Sequence, residues 1–564
     1  MSNSVAITLI TRFEKPLCMG RTFWAMAACC LSLSAQAQQS LQTASQEISK
    51  VWTPDLGNGQ YKNPVLYADY SDPDVCRAGN DYYLTASSFN AIPGLPILHS
   101  KDLVNWRIIG HALLRQPPFE HFERPQHGNG VWAPSIRYHQ GEFYIYYPDP
   151  DFGIYMIKAK QAAGPWTAPV MVKAGKGLID PCPLWDDNGD VYLVHAYAGS
   201  RAGIKSILTI NRMNSEGTTV TDDGILVFDG HDAHPTLEGP KLYKRNGYYY
   251  IFAPAGGVST GYQLVLRSRN IYGPYEEKIV MDQGSTPVNG PHQGAWVALP
   301  SGEHWFLHFQ DQEAYGRVVH LQPMRWINDW PVIGADKDGD GKGEPVLTHK
   351  KPNVGKEWPA VTPQESDECN TPTLGLQWQW HANPKATWMM RAANLSYMRL
   401  FADKIPDNAR NYWEVPNLLL QKFPAAQFTV TTKLTFKPRL EGDRTGLIIM
   451  GASYAYLSLT RKGDAIAIDY RTCKQADKGA AETSQILGKC NGTDIYLRVK
   501  VTKGGICTFS YSEDGKQFSA INETFTAVPG RWIGAKVGLF CTRTRQTNDS
   551  GFADIDWFRI NNEP

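Results

Sequence analysis

The stretch SDPDVCRAGNDYYLTAS, from Ser71 to Ser87, contains the pattern that decides the fold. A short apolar strand leads to a turn at Gly79 and Asn80, and a run of aromatic and β-branched residues follows. Turn chemistry and composition together are typical of a β-hairpin. The pattern occurs four more times, as SIRYHQGEFYIYY from Ser135, PLWDDNGDVYLVHAY from Pro183, PKLYKRNGYYYIFAP from Pro240 and WVALPSGEHWFLHF from Trp296.

Five hairpins at a spacing of about 50 to 60 residues predict a five-bladed β-propeller, because a four-stranded blade needs a repeat near that length. In a propeller the first strand of each blade lines the central channel. The residue that opens this strand lies seven to ten positions before the turn glycine in each copy. The five residues expected to meet at one mouth of the channel are Asp72, Trp132, Asp180, Glu238 and His292.

Two all-β domains account for most of the 564 residues. The repeats fill residues 61–352, which we predict to be the propeller and the domain that contains the functional site. From Ser366 onward the repeat stops, and segments such as Phe428–Phe436 and Ile495–Val499 alternate apolar and polar residues at strand length. Such segments predict an antiparallel β-sandwich over residues 366–564.

The first 37 residues have the features of a secretory signal peptide. Arg12, Lys15 and Arg21 precede an apolar stretch over residues 23–33, and Ala35-Gln-Ala37 has the small-x-small form of a cleavage site. Met19 is an alternative start. Residues 38–60 are rich in polar side chains and are predicted to form a linker. We therefore expect an exported protein, periplasmic or extracellular.

Charge and hydropathy exclude several classes of partner. Lys and Arg total 56 against 55 Asp and Glu, so the net charge is +1, and the sequence has no long run of like charge. This balance argues against nucleic acid or an anionic membrane surface as partner. After the signal peptide, no segment approaches the roughly 20 apolar residues of a membrane span. The oligomeric state is not readable from the sequence.

Cysteine and acidic motifs leave two structural questions open. The seven cysteines after residue 37 are scattered, which does not indicate a disulfide scaffold, and Cys473 with Cys490 is the one pair that could be bonded or free. Asp336-Lys-Asp-Gly-Asp-Gly341 has the front half of a calcium loop, but Leu347 stands where the bidentate Glu would be. The alternative is a polar turn held by Asx hydrogen bonds. We expect no required cofactor, with Ca²⁺ as the candidate ion.

Three of the five channel residues, Asp72, Asp180 and Glu238, are acidic. Glycoside hydrolysis uses one carboxylic acid to protonate the leaving oxygen and one carboxylate as base or nucleophile on the other face of the sugar. The acid must hold its proton near neutral pH, and burial or a nearby carboxylate raises its pKa. A third carboxylate beside the acid would therefore raise the pKa of the acid and help it to keep its proton.

At this point the sequence resembles a known family. The resemblance rests on Asn63-Pro64 with Ser71-Asp-Pro-Asp74, Gly130-Val-Trp-Ala-Pro134, Ile179-Asp-Pro-Cys-Pro-Leu184, Leu237-Glu-Gly-Pro240 and Tyr315-Gly-Arg-Val-Val-His-Leu-Gln322. These motifs are similar to those of glycoside hydrolase family 43, in the two-domain type with a C-terminal concanavalin-like β-sandwich. The resemblance covers essentially everything after the signal peptide.

The resemblance implies a role for each site residue. Asp72 would be the general base, Asp180 the residue that raises the pKa of the acid and orients it, and Glu238 the general acid of an inverting enzyme. Phe89 and Trp132 would form the hydrophobic wall around the terminal sugar, and Arg317 would hydrogen-bond it. His292 would hold a water molecule or calcium in the channel. The sequence departs from many members in having Asp74 two residues after Asp72, so Asp74 competes for the role of base.

The resemblance implies an exo-acting enzyme that releases terminal β-D-xylose or α-L-arabinofuranose from plant cell-wall oligosaccharides, with β-xylosidase slightly preferred. The loop Thr542–Ser550 is the candidate for the sandwich segment that closes over the pocket. The alternative function is a non-catalytic carbohydrate-binding propeller, which predicts the loss of at least one acid, yet all three acids are present. A related five-bladed enzyme class that acts on fructosides is disfavoured, since its Asn-Asp-Pro-Asn-Gly type signature is missing.

Overall fold

The computed structural model describes residues 48–562, and the predicted signal peptide lies outside this range. Residues 48–60 include most of what the sequence predicts as a linker, and they pack against the folded chain. The backbone N–H of Ser49 donates to Thr362 Oγ1 at 2.8 Å, and Trp52 Nε1 donates to the Pro64 carbonyl at 3.0 Å. This segment therefore leads directly into the first strand.

Twenty strands form five antiparallel sheets, each with its four strands in sequence order. Blade 1 comprises β2 (Asp74–Ala78), β3 (Asp81–Thr85), β4 (Gly94–Ser100) and β5 (Trp106–Leu113). Blade 2 comprises β6 (Ser135–His139), β7 (Glu142–Asp149), β8 (Gly153–Ala159) and β9 (Val170–Ala174). Blade 3 comprises β10 (Leu178–Trp185), β11 (Val191–Tyr197), β12 (Ile207–Met213) and β13 (Ile225–Asp229). Blade 4 comprises β14 (Lys241–Arg245), β15 (Tyr248–Ala255), β16 (Tyr262–Ser268) and β17 (Glu276–Met281). Blade 5 comprises β18 (His292–Ala298), β19 (His304–Asp311), β20 (Arg317–Ile327) and β21 (Trp330–Ile333).

The five hairpins of the sequence are the first two strands of the five blades, which confirms the predicted propeller. In blade 2, for example, Ser135 pairs with Tyr146 and His139 with Glu142. The turn between them needs a left-handed residue, and Gly141 supplies it with a φ of 84°. Because the strands are β-branched and aromatic, each sheet has two apolar faces. These faces form a separate hydrophobic core between each pair of neighbouring blades.

The ring is closed by segments from both ends of the propeller. Strand β1 (Gln60–Lys62) pairs with β22 (Thr348–Lys350), so that Tyr61 lies opposite His349. Leu66 also exchanges backbone hydrogen bonds with Val319 of blade 5 at 3.3 and 2.9 Å. The chain before blade 1 is thus fixed to the chain in and after blade 5.

The C-terminal domain is a β-sandwich of two sheets, as predicted. The first sheet has the order β23 (Gln379–Trp380), β27 (Leu418–Lys422), β36 (Lys536–Arg543), β29 (Arg444–Met450), β30 (Tyr454–Lys462), β31 (Ala465–Cys473) and β32 (Thr483–Cys490), with β26 (Asp403–Lys404) parallel to β36. The second has the order β24 (Met389–Met390), β25 (Met398–Phe401), β37 (Phe552–Asn561), β28 (Phe428–Lys437), β33 (Asp494–Thr502), β34 (Ile506–Ser512) and β35 (Ser519–Thr526). Strand β33 buries every second residue, which matches the predicted alternation.

Helical structure among residues 48–562 is confined to single turns. They are the α-helix Gly199–Ala202 and the 3₁₀ turns His121–Glu123, Glu313–Tyr315, Tyr412–Glu414 and Ala476–Lys478. Within the described part of the chain, none of these helices has the length and apolar character required to cross a bilayer.

Backbone and side-chain hydrogen bonds join the sandwich to the propeller. Ile92 and Trp380 exchange backbone hydrogen bonds at 3.0 and 2.5 Å. The Asn383 side chain accepts from the Gln116 N–H at 2.8 Å and donates to the Gln116 carbonyl at 2.9 Å. Tyr315 OH donates to the Ala426 carbonyl at 2.9 Å. The two domains therefore share a specific interface.

The disulfide question is resolved by strand register. Cys473 ends β31 and Cys490 ends β32, and the two strands are antiparallel, with Ile466 opposite Cys490. The two cysteines therefore lie at opposite ends of the hairpin, and both are free thiols. The hairpin itself exists, but its register prevents the bond.

Candidate active site

Five of the seven predicted site residues lie at or near the start of the first strand of a blade, whereas Phe89 lies between β3 and β4 and Arg317 begins β20. Asp72 and Asp180 have left-handed backbones, with φ angles of 53° and 57°. At Asp180 the pairing of β10 with β11 shifts register between Ile179 and Cys182. A bulge of this kind redirects a side chain out of its normal strand alternation, and a left-handed non-glycine residue is strained. The strained backbone at these two positions thus sets the direction of the Asp72 and Asp180 carboxyl groups.

Asp72 is held through both of its carboxylate oxygens. Arg317 Nη1 donates to Oδ1 at 2.9 Å, and Ser87 Oγ donates to Oδ2 at 2.6 Å. Only 4% of Asp72 is exposed. Its competitor Asp74 is fully buried and accepts from the Ile136 N–H and from Arg137. Asp74 therefore serves the junction of blades 1 and 2, whereas Asp72 lies beside Arg317 at the mouth.

Asp180 and Glu238 are coupled to each other and to Asp72. Burial raises the pKa of Asp180 to about 7, the charge of Asp72 adds to this, and a 2.7 Å hydrogen bond from the Gly239 N–H opposes it. The Glu238 side chain keeps 34% of its surface exposed at the mouth, yet the surrounding protein desolvates its carboxyl group. This burial, followed by the charges of Asp180 and Asp72, raises the pKa of Glu238 to about 8. Glu238 therefore retains its proton at neutral pH.

His292 opens β18 and is fully buried beside Glu238, with Nε2 3.6 Å from Glu238 Oε1. Burial and the charge of Arg317 lower the pKa of this imidazole to about 3, so the ring is neutral at pH 7. Neither ring nitrogen has a hydrogen-bond partner among the described residues. A neutral imidazole suits a bound water molecule, whereas Ca²⁺ prefers a set of oxygen ligands.

Aromatic rings and one arginine form the wall of the site. Phe89 and Trp132 meet edge to face with ring centroids 6.5 Å apart. The Arg317 guanidinium lies 4.8 Å from the Phe309 ring and 6.0 Å from the ring of Trp532. Trp532 in turn lies 6.3 Å from Trp132. The structure thus brings all seven predicted residues to one mouth and adds Trp532 from the sandwich.

Residues 61–331 match the family model described as glycosyl hydrolases family 43, and residues 366–561 match the model described as beta xylosidase C-terminal concanavalin A-like domain. A putative beta-xylosidase of Xylanibacter ruminicola is 40% identical over 497 residues, which cover 86% of this chain and 87% of that protein. The chain belongs to glycosyl hydrolase family 43. It is therefore a glycoside hydrolase.

Other relatives of this family 43 enzyme span both domains. A protein of Bacteroides ovatus named non-reducing end alpha-L-arabinofuranosidase is 29% identical and covers 90% of this chain and 96% of its own length. The crystal structure of the GH43 BlXynB protein from Bacillus licheniformis is similar with a TM-score of 0.75 at 27% identity, covering 89% of this chain and 99% of that one. The two-domain arrangement is therefore shared with a solved family member.

The sandwich reaches the site of the family 43 enzyme through residues 529–533 and not through the predicted loop Thr542–Ser550. These residues line an interdomain groove of about 650 Å³ together with Arg317, Asp311, Glu313 and Trp413. The predicted loop is tied to the sandwich itself, since Thr544 bonds Glu441 and Ser550 bonds Ala402. An aromatic residue between Pro529 and Gly534, in a turn before β36, is the sequence signal that could have identified Trp532.

The candidate calcium loop of the enzyme brings Asp336, Asp338 and Asp340 together, with one oxygen of each within 4.8 Å of the others. The same carboxylates accept backbone hydrogen bonds within the loop, for example from the Gly339 N–H to Asp336 at 2.8 Å. Asp336 also pairs with Arg325 at 3.3 Å. A Ca²⁺ site and an Asx-bonded turn would both use these carboxylate oxygens. The hydrogen bonds from backbone N–H groups within the loop are those of the Asx-bonded turn.

Proposed function

We propose that this family 43 enzyme removes single sugars from the non-reducing ends of plant cell-wall oligosaccharides, with inversion of configuration. The observation that carries the proposal is the set of three electrostatically coupled carboxyl groups at one mouth, of which Glu238 is protonated at neutral pH. The interdomain groove begins beside Arg317 and Trp532, which supports binding of the rest of the substrate there.

In the proposed mechanism Asp72 removes a proton from water while Glu238 protonates the leaving oxygen. Both oxygens of Asp72 accept hydrogen bonds, from Arg317 and Ser87, so the carboxylate has a fixed orientation toward the water. Burial, together with the charges of Asp180 and Asp72, keeps the proton on Glu238 until the glycosidic oxygen takes it. Inversion requires the base and acid to be about 6.5–9.5 Å apart, with the water between base and sugar.

The proposed sugar-binding elements are Phe89, Trp132, Arg317 and the neutral His292. The edge-to-face pair of Phe89 and Trp132 offers an apolar wall to a ring face. Arg317 offers guanidinium N–H groups beyond the one that binds Asp72, and these suit sugar hydroxyl groups.

We propose β-D-xylose as the released sugar, with α-L-arabinofuranose as the second candidate. A beta-xylosidase of Formosa agariphila, 32% identical over 94% of this chain and 95% of its own length, supports xylose, as does the name of the Xylanibacter relative. The Bacteroides ovatus relative, at lower identity, supports arabinofuranose.

The test is hydrolysis of nitrophenyl β-D-xylopyranoside and nitrophenyl α-L-arabinofuranoside side by side, with Asp72→Asn as the control. We expect turnover of the xyloside to exceed that of the arabinofuranoside and to be lost in the variant. NMR of the first product should show α-xylose, since a β-bond is inverted. Binding of oligosaccharides without turnover of any glycoside would instead support a carbohydrate-binding propeller.

We also propose that the enzyme is exported. Support comes from the basic, apolar and small-residue segments before Gln38. N-terminal sequencing of the protein recovered from the periplasm or medium should give a start near Gln38. A full-length chain that stays in the cytoplasmic fraction would contradict export.

A further inference from the structure

Asp69 lies three residues before Asp72, is 4% exposed, and accepts three hydrogen bonds. Its Oδ1 accepts from Ser71 Oγ at 2.8 Å and from the Arg317 N–H at 2.9 Å. Its Oδ2 accepts from the Gly534 N–H at 3.0 Å. One carboxylate therefore joins the mouth of blade 1, the first residue of β20 and a segment of the sandwich.

Each of the three donors leads to the active site. Ser71 is adjacent to Asp72 in sequence. The side chain of Arg317 donates to Asp72, so the Asp69 bond fixes the backbone from which that guanidinium extends. Gly534 is two residues after Trp532, which faces Trp132 across the pocket.

The backbone segments around Asp69 are closely packed, and two glycines leave no room for a side chain. A β-carbon on Gly316 would lie 2.5 Å from Asp69 Cγ, and one on Gly534 would lie 2.6 Å from the Gly316 nitrogen. The next residue continues the contact, because the Ala535 N–H donates to the Ala314 carbonyl at 2.7 Å. The sandwich segment is therefore fixed to blade 5 at the point where Asp69 binds both.

We propose that Asp69 is a positioning residue that couples the catalytic base to the sandwich segment bordering the interdomain groove, so that the sandwich sets how the enzyme binds the part of the substrate beyond the released sugar. This inference rests on the proposed function, since it assigns the groove to that part of the substrate.

The carboxylate is the group that the geometry requires. Its two oxygens are acceptors, and all three neighbours are donors. An asparagine has one acceptor oxygen and one NH₂ group. Its NH₂ group would therefore point at an N–H or O–H donor of Ser71, Arg317 or Gly534, and that hydrogen bond would be lost. The buried Lys536 and the partly buried Lys422 on the neighbouring strand also lie within electrostatic range of Asp69. Burial lowers the pKa of Lys536 to about 7, and the Asp69 charge acts against this.

The decisive experiment compares Asp69→Asn with the wild type on two substrates. One is the nitrophenyl glycoside of the sugar that the wild type releases, and the other is an unsubstituted trisaccharide of that sugar. We expect kcat/KM on the trisaccharide to fall about tenfold more than on the nitrophenyl glycoside, the scale of one lost buried hydrogen bond, with most of the difference in KM. Equal losses on both substrates, or none, would overturn the proposal.

Two further variants separate positioning from folding. Asp102→Asn changes another buried carboxylate of blade 1, which accepts hydrogen bonds from the backbone N–H groups of Val104 and Asn105. It should leave the ratio of kcat/KM on the two substrates unchanged.

Gly534→Ala leaves Asp69 intact and displaces the sandwich segment by adding a β-carbon against Gly316. It should reproduce the loss on the trisaccharide even if Asp69→Asn does not fold, and a wild-type ratio in this variant would contradict the coupling. A wild type that hydrolyses neither glycoside would refute the proposed function instead.

Discussion

The mouth of the propeller and the core of the sandwich bury side chains of opposite character. At the mouth, buried carboxyl groups repel one another, and the pKa values of Asp180 and Glu238 are raised. In the sandwich, Leu497 and Val499 of β33 are fully buried among apolar neighbours. Burial of like charge costs stability, whereas burial of apolar surface supplies it. The comparison teaches that the active site depends on stability generated elsewhere in the chain.

The largest predicted effect is a loss of kcat, and its dependence on the substrate should differ between the variants of Asp72 and Glu238. Asp72→Asn removes the base and should lower kcat about 10²- to 10⁴-fold on every substrate. Glu238→Gln removes the acid and should cause a loss of that size on oligosaccharides but a smaller one on nitrophenyl glycosides, because nitrophenolate leaves without a proton. Steady-state kinetics on both substrate types measures the difference.

Glu238→Gln should melt at or above the wild-type temperature, because it removes an acid whose pKa is raised by burial and by like charge. Asp72→Asn should melt lower, because it leaves the buried Arg317 without its charge partner. Equal losses on both substrate types in Glu238→Gln would contradict its role as acid. A large drop in the melting temperature of Glu238→Gln would contradict the comparison between mouth and core.

The second effect is on stability and not on chemistry. Leu497→Ala leaves a cavity in the sandwich core and should lower the free energy of unfolding by about 2–5 kcal/mol. Activity measured well below the melting temperature should change little. Ile486→Ala, at an exposed position of β32, is the matched control and should change stability by less than about 0.5 kcal/mol. Denaturant unfolding gives both values, and a marked loss of kcat in Leu497→Ala would show that the core also shapes the site.

The third effect is a shift of the pH profile. Glu238 must be protonated to act, so activity should fall as the pH rises through its pKa of about 8. Asp180→Asn removes a negative charge that raises this pKa, so the alkaline limb of kcat/KM should move to lower pH. Asp186→Asn is the control, since that carboxylate pairs with Lys244 at the far end of blade 3. An unmoved alkaline limb in Asp180→Asn would mean that its charge does not act on Glu238.

The smallest effect concerns Trp532, the sandwich side chain that lies beside Trp132. Trp532→Ala should raise KM for oligosaccharides about threefold to tenfold, the scale of one lost aromatic contact, with little change in kcat. Thr544→Ala, in the loop that the sequence favoured, should leave KM at its wild-type value. A larger change in Thr544→Ala than in Trp532→Ala would reverse the assignment of the sandwich segment.

Repetition made the propeller and its carboxyl groups predictable. Asp72, Asp180 and Glu238 stand at equivalent positions of recurring hairpins, so each copy supports the interpretation of the others. Trp532 and Asp69 belong to no repeat, and their importance arises from contacts between distant segments, such as Asp69 with Gly534 across 465 residues. Cys473 and Cys490 show a related limit, since a hairpin was predictable but its register was not.

The pairing of β1 with β22 sets the order in which a growing chain can become active. The ring cannot close until residues 348–350 have emerged, although Asp72 is made early. Trp532 and Gly534 follow nearly two hundred residues later. A chain that ends before β36 would therefore lack the sandwich side of the site, and its groove for oligosaccharides is completed only when synthesis has reached the far end of the polypeptide.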